Sequence, residues 1–218
     1  MIKFIAKNKE IFVGLEDSKR TWKLCARSEK IVIQETSMPA KYEILKAYFK
    51  NNYPDCKIKI IYEAGFKGFT LHDRLVADGI DCVVTPPHTV TQEKDNRVKC
   101  DKIDARRLAL NLENGDYKSC CVPDKELRED RQISRMLIQV QKDINKCKNR
   151  IRKFLDFHGY DEEFPAGTWY DREYKALEEF KFPEPLKAQM DIYLSTLKHF
   201  AETKKKLTEL LKALTKKK

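Results

Sequence analysis

The chain has 218 residues, of which 41% are hydrophobic and 36% charged, with only 7 Gly and 8 Pro, a composition that excludes wholesale disorder and allows one domain with a buried core plus a smaller extension. The amino terminus is interrupted too early by charge to be a signal peptide, and no stretch approaches the roughly 18 apolar residues of a membrane span, so we expect a soluble cytoplasmic protein. A formal net charge of +10 favours polyanionic partners such as nucleic acids, although a lysine-rich soluble protein would carry the same excess.

The first part of the chain alternates short β-type runs with helical segments. Apolar runs at 11–15, 21–26, 31–33, 58–62 and 82–84 predict five strands. Helical spacing over 39–50, and again at Leu71, Leu75 and Val76, predicts two helices between them. The order βββαβαβ is typical of a ribonuclease-H-like α/β fold, a mixed sheet with flanking helices. We assign residues 1–122 to this domain.

Two further segments complete the first domain. Residues 86–99 are polar and mixed in charge, which predicts a mobile loop. A helix is expected from Asp101 to about Leu112, ending near Asn114 and Gly115.

After Pro123 the apolar residues follow a heptad pattern. Two seams alternate spacings of four and three residues, which indicates an antiparallel helical coiled-coil arm over 123–218, joined through a Gly- and Pro-containing stretch from His158 to Pro185. Lys204 is the single polar member of the second seam. The first seam comprises Ile133, Leu137, Val140, Ile144, Cys147, Ile151 and Phe154, and the second Leu186, Met190, Tyr193, Leu197, Phe200, Lys204, Leu207, Leu211 and Leu214. Two ordinary amphipathic helices are the alternative.

Acidic residues occur where a ribonuclease-H-like fold would gather them. Glu16, or its neighbour Asp17, ends the first strand, Glu63 ends the fourth, and Asp101 and Asp104 share one face of the later helix. Carboxylates brought together repel one another unless cations neutralise them, and Mg²⁺ prefers such hard oxygen ligands. The pattern therefore predicts a divalent-metal site, Mg²⁺ or Mn²⁺, although 34 acidic residues also supply chance spacings of this kind.

Three motifs carry a family resemblance. Residues 13–22 (VGLEDSKRTW) resemble the opening strand of the DEDD transposases, the group that includes the pilin-gene invertase Piv and the bridge-RNA-guided recombinases. Residues 62–65 (YEAG) resemble the second acidic motif of that family, and residues 99–105 (KCDKIDA) its K-x-D-x-x-D-A motif. The heptad helix that follows is similar to the coiled coil of the family.

The resemblance implies a RuvC-like active site for DNA recombination. Glu16, Glu63, Asp101 and Asp104 would be the catalytic metal ligands at a DNA phosphate. Family members usually have Asp at the position of Glu16, whose side chain is one methylene longer. Asp17 is the alternative ligand, but adjacent strand residues point to opposite faces, so we favour Glu16.

The resemblance also implies partners and a missing part. Family transposases continue beyond the arm into a domain with a catalytic serine, so we expect this chain to be an incomplete recombinase. The implied partners are DNA, a structured guide RNA, and further copies of the chain held through the coiled-coil arm, with no membrane. The implied location is the cytoplasm of a bacterium or archaeon, at the nucleoid.

Basic residues supply candidate nucleic-acid contacts. Arg106 and Arg107 adjoin the acidic pair and are expected to touch substrate phosphate. Arg131, Arg135 and Lys142 lie off the first heptad seam and are candidates for a phosphate backbone of DNA or RNA, although a solvated helix flank has the same composition.

Two other functional classes compete with the transposase. The same fold with an altered first carboxylate could bind structured nucleic acid without cutting it. A sugar-kinase-like ATPase also begins with a Gly-Leu-acid strand, but it needs a glycine-rich phosphate loop, and residues 17–22 contain no glycine.

Overall fold

The computed structural model describes residues 9–87, 101–165 and 170–216. These form two compact units, Met1–Val122 and Pro123–Lys218, called the sheet unit and the helical unit below. Most of the predicted loop at 86–99 lies outside the described residues.

The sheet unit is built on a five-stranded sheet with the strand order β3-β2-β1-β4-β5. The first three strands are antiparallel neighbours, whereas β4 runs parallel to both β1 and β5. This mixed sheet with flanking helices confirms the predicted α/β class and is consistent with a ribonuclease-H-like domain. Its elements are β1 (Glu10–Asp17), β2 (Thr21–Ser28), β3 (Ile31–Pro39), α1 (Tyr42–Asn52), β4 (Lys57–Glu63), α2 (Thr70–Ala77), β5 (Asp81–Thr85) and α3 (Asp101–Asn114).

The third strand is longer than predicted. Its apolar run stops at Ile33, but the strand continues through four polar residues, 34–37, to the buried Met38 and to Pro39. Among the described strands it pairs only with β2, as an edge strand, so its side chains need not be apolar to stay in the sheet. Hydrogen bonding to β2 therefore extends the strand beyond the run that hydrophobicity identifies.

One face of the sheet carries the main apolar core. Large side chains of β1, β2 and β4 point to this face and pack with Leu45 and Phe49 of α1 and with Leu71 and Leu75 of α2. Burial of such side chains stabilises a fold by about 1.5–3 kcal/mol each. The strand residues of this core include Ile11, Val13, Leu15, Trp22, Leu24, Ile60 and Tyr62.

The opposite face packs against α3 at very close range. A Cβ atom placed on Gly14 of β1 would stand 2.1 Å from the carbonyl oxygen of Ala105 and 2.4 Å from the backbone nitrogen of Ala109. Only glycine permits this approach of helix backbone to strand backbone. Small residues therefore set the position of α3 on the sheet.

A tight turn between β2 and β3 is braced by the end of α3. Glu29 and Lys30 both have positive φ, 52° and 63°, as in the two-residue hairpin turns that match strand twist. Glu113 of α3 accepts hydrogen bonds from Arg27 Nε and from the backbone N–H of Lys30, each at 2.6 Å. Both side chains of the Arg27–Glu113 pair are largely buried, so this ion pair ties the hairpin to the helix.

The helical unit consists of α4 (Lys125–His158), α5 (Asp171–Glu179) and α6 (Leu186–Lys216). Asp124 caps α4 by accepting from the N–H of Leu127 at 2.7 Å, and Gly159 ends the helix in the left-handed conformation. Phe154, late in α4, packs against Tyr193, early in α6. The two long helices run in opposite directions, because residues of the middle of α4 share a cleft with residues further along α6.

Most first-seam residues are buried. Val140, Ile144, Cys147, Ile151 and Phe154 belong to the core of the helical unit. A coiled coil remains a prediction, because buried Leu194 lies off the second seam and contributes to the same core.

The stretch 158–185, which joins the two long helices, also has structure that the sequence analysis did not predict. This stretch contains α5, whose Leu177 is fully buried, and supplies Phe180 and Phe182 to an aromatic cluster with Tyr160 and Phe164. A helix of nine residues shows too few turns for its periodicity to stand out in the sequence.

Candidate active site

Two predicted acid residues leave the sheet side by side. The register of β1 and β4 pairs Leu15 with Tyr62, and the two strands are parallel. The next residue on each strand is acidic, Glu16 on β1 and Glu63 on β4. Both therefore lie at the carboxyl edge of the sheet.

These two residues also share a face of the sheet. Glu16 lies two residues beyond Gly14, which contacts α3, and strand residues two apart point to the same face. Glu63 lies two residues beyond Ile61, which packs against Leu108 of α3. Both acid residues thus belong to the face that α3 covers, and one carboxylate oxygen of Glu16, Oε2, is buried.

The direction of α3 brings its first turn to the same edge. Glu113, near the end of α3, bonds Arg27, whose partner on β1 is Phe12. Ala105, near the beginning of α3, contacts Gly14, two residues further along β1. The helix is therefore antiparallel to β1, and its amino-terminal end points toward the carboxyl edge of β1 and β4.

The first turn of α3 contains the remaining two predicted ligands. Asp101 lies one turn before the buried Ala105, and Asp104 one turn before the buried Leu108, so both share the side of the helix that faces the sheet. The structure thus brings the four acid positions to one edge and one face. Among the described residues, however, no three His, Cys, Asp or Glu side chains stand close enough to form a metal-binding group.

Asp17, the alternative to Glu16, lies on the other face of the sheet. Its Oδ1 accepts a hydrogen bond from Trp22 Nε1 at 2.7 Å and forms an ion pair with Lys67 at 3.2 Å. The Lys67 ammonium also lies 4.6 Å from the centre of the Trp22 ring. The Asp17 carboxylate therefore lies beside the main core, on the face of the sheet away from α3.

The segment after Glu63 is held by the preceding residue. The Tyr62 hydroxyl donates to the carbonyl of Gly68 at 3.4 Å and accepts from the N–H of His72 at 3.3 Å. Burial raises the pKa of the Tyr62 hydroxyl above its ordinary value. Ala64 continues the strand register by donating to the carbonyl of Thr85 at 2.8 Å.

Sequence reasoning missed Glu35 on β3. Arg106 forms a two-pronged pair with this carboxylate, and Lys102 lies 3.2 Å from it. The Arg106 guanidinium, followed by Lys102, lowers the pKa of Glu35 from its usual value. Arg106 is thus engaged with the edge strand, while Arg107 is half-buried, and contacts of either with phosphate remain predictions. No motif marks Glu35, because its partner lies 71 residues away.

The predicted nucleic-acid residues of α4 are accessible. Arg131, Arg135 and Lys142 are all exposed on this helix. Their spacing of four and seven residues places them along one side of α4.

A protein-family model of the IS110-type DEDD transposases, with the description "Transposase", matches residues 13–159 of the chain. This segment includes all four acid positions. The chain belongs to this transposase family. A transposase for the insertion sequence element IS1533 of Leptospira borgpetersenii is 25% identical over 151 residues, which cover 67% of this chain and 44% of that protein.

Two relatives in Sinorhizobium fredii (strain NBRC 101917 / NGR234) extend the likeness. The putative transposase y4rJ is 33% identical over 151 residues, covering 63% of this chain and 37% of the relative. The putative transposase y4qE is 27% identical over 125 residues, covering 57% and 32%. The matched part of the chain thus corresponds to less than half the length of each relative.

Two other findings concern the described ranges as a whole. The six cysteines within them are free thiols. No helix within residues 9–87, 101–165 and 170–216 is both long enough and apolar enough to cross a bilayer.

Proposed function

We propose that this chain supplies the metal-dependent DNA-processing part of a transposase. Glu16, Glu63, Asp101 and Asp104 hold Mg²⁺ or Mn²⁺ against a DNA phosphate. The observation that carries the proposal is the convergence of β1, β4 and the first turn of α3 at one edge, within the segment matched by the family.

The donor set fits a divalent cation of this kind. All four groups are carboxylates, the hard oxygen ligands that Mg²⁺ prefers alongside water and phosphate oxygens. When bound, such ions stabilise the attacking and leaving oxygens of a phosphodiester. Asp101 is exposed and Asp104 half-buried, so their side chains are free to turn toward the edge where Glu16 and Glu63 lie.

The chain's own residues position the carboxylates. Gly14 lets α3 approach until its first turn reaches the edge. Tyr62 fixes the segment that follows Glu63. Glu35, by holding Arg106 and Lys102, anchors the beginning of α3 to the edge strand.

The proposal includes partners. DNA is the substrate, and a structured guide RNA selects the site of action. The helical unit holds copies of the chain together through a coiled coil and contacts phosphate through Arg131, Arg135 and Lys142. The exposure of these three residues and the net charge of +10 support the nucleic-acid part of the proposal.

A second candidate is a nucleic-acid-binding module that does not cut. Two observations favour it: the longer Glu16 stands where the resemblance leads us to expect Asp, and the described acid residues do not form a compact metal-binding group. The two candidate functions differ in metal binding, which the enzyme requires and the binding module does not.

The test is calorimetric titration of the complete chain with Mn²⁺ and Mg²⁺. The enzyme hypothesis expects saturable binding that Asp101→Asn and Glu63→Gln abolish. The matched control is Asp81→Asn, because Asp81 starts β5 at the opposite edge of the sheet and forms a partly exposed ion pair with Lys59. Absence of saturable binding by the unaltered chain, or equal loss in the control, would favour the module that binds without cutting.

A further inference from the structure

The helical unit contains a second candidate site. An open cleft of about 520 Å³ lies between α4, α5 and α6, a volume within the range of small-ligand pockets. Ile144, Leu194 and Leu197, all buried members of the helical core, form its apolar floor. Tyr174 of α5 forms part of its wall.

The rim of this cleft is rich in lysine. Lys148, Lys175, Lys198 and Lys204 line it, and within 9–87, 101–165 and 170–216 none of the four has an ion pair with a carboxylate. Lys148 instead lies 5.4 Å from the centre of the Tyr174 ring. Two acid residues, Asp171 and Glu178, also line the cleft, which leaves a formal excess of two positive charges, four minus two.

The cleft accounts for the polar break in the second heptad seam. Lys204 occupies a position that the heptad pattern reserves for an apolar side chain, yet in the structure it is exposed and lines the cleft. Ala201, one turn earlier on the same helix, lines the cleft as well and leaves it open because its side chain is small.

We propose that this cleft, the lysine cleft, binds one nucleotide of a single-stranded nucleic acid. The lysine ammonium groups contact its phosphate, and its base lies against the apolar floor beside Tyr174. Charge complementarity selects an anion, and the apolar floor selects one that carries a flat, weakly polar group. The inference rests on the proposed function for its class of ligand, but it uses none of the four acid residues.

The first experiment measures binding of a short labelled single-stranded DNA to the complete chain by fluorescence anisotropy, in EDTA. Lys198→Gln with Lys204→Gln should weaken binding about tenfold and reduce the slope of log affinity against log salt by about 1. The matched control, Lys205→Gln with Lys212→Gln, removes the same charge from exposed positions of α6 outside the cleft and should change affinity less than about twofold.

A second variant separates the cleft from general charge. Ala201→Trp fills the cleft without altering charge, and Ala201 is exposed, so the fold should tolerate the larger side chain. It should weaken binding as strongly as the double lysine change, with an unaltered circular dichroism spectrum. Unchanged affinity in Ala201→Trp, or an equal loss in the Lys205/Lys212 control, would overturn the inference.

A competition arm identifies the form of the ligand. Displacement of the labelled strand by a free mononucleotide would show that the cleft takes one nucleotide whether or not it belongs to a strand, and displacement only by unlabelled strand would restrict it to a strand. Absence of binding by either form would refute the lysine cleft. Asp101→Asn should leave all these results unchanged, so failure of the metal site and failure of the cleft are distinguishable.

Discussion

The two faces of the sheet are built by different means. The face toward α1 and α2 is filled by large apolar side chains, whereas the face toward α3 combines a smaller apolar cluster around Ile61 and Leu108 with close backbone contact at Gly14. The first face buries more large apolar side chains than the second. On the second face, the absence of a side chain at Gly14 lets α3 lie close to β1. The first turn of α3 carries two of the acid residues. The larger apolar core and the proposed chemistry thus occupy opposite faces.

The strongest test of this contrast is Gly14→Ala. Because the added Cβ would overlap backbone atoms, which cannot move aside as a flexible side chain can, we expect a loss of about 3 kcal/mol in the free energy of unfolding. Urea denaturation followed by circular dichroism measures it. Gly65→Ala is the control, since a Cβ there meets only the carbonyl oxygen of Glu63 at 3.8 Å. A normal stability for Gly14→Ala would show that α3 can shift without cost.

The anchor at the far end of α3 comes next. Glu113→Gln removes the charge that neutralises the largely buried Arg27, and we expect a loss of about 2 kcal/mol in the free energy of unfolding. Glu43→Gln, which removes a carboxylate from an exposed pair with Arg74, should cost less than about 0.5 kcal/mol. Equal values from urea denaturation would mean that the hairpin is not held by α3.

Neighbouring acid residues at the end of β1 should behave in opposite ways. Asp17→Asn weakens the bond network with Trp22 and Lys67, so stability should fall by about 1.5 kcal/mol with Mn²⁺ binding unchanged. Glu16→Gln should abolish Mn²⁺ binding, and Glu16→Asp should retain it. Urea denaturation and calorimetry on the same three variants provide both readings. Loss of Mn²⁺ binding in Asp17→Asn alone would exchange the roles of the two residues.

The smallest effect is expected at Glu35. The Arg106–Glu35 pair is partly exposed, so Glu35→Gln should cost less than about 1 kcal/mol at neutral pH. Because the folded-state pKa of Glu35 is depressed, the contribution of its charge is complete above its usual pKa of about 4.5 and disappears as the pH falls through the lower folded value. The free energies of unfolding of the unaltered chain and of Glu35→Gln, measured by urea denaturation across acid pH, should therefore converge as the pH falls. A difference that persists in strong acid would assign the effect to packing.

Local pattern in the sequence was enough to identify the strands of the sheet and the helices around them, and it predicts the acid positions. The alternation at Ile11, Val13 and Leu15 and the spacing of Asp101 and Asp104 involve residues close together in the chain. Such patterns can be recognised without knowing the tertiary structure. The choice of Glu16 over Asp17 likewise followed from the two-residue period of a strand. The placement of Asp17 on the opposite face from α3 agrees with that choice.

Only the tertiary structure decided how distant segments meet. The contact of Gly14 with α3, the pair of Arg106 with Glu35 and the lysine cleft all join residues far apart in the chain, and no periodicity connects them. Helix α5 is a further example. It is stabilised by the burial of Leu177 in the core of the helical unit, whereas its own short apolar pattern does not predict a helix. Local sequence determines which elements form, whereas their packing, which depends on volume and charge across long separations, determines what those elements place together.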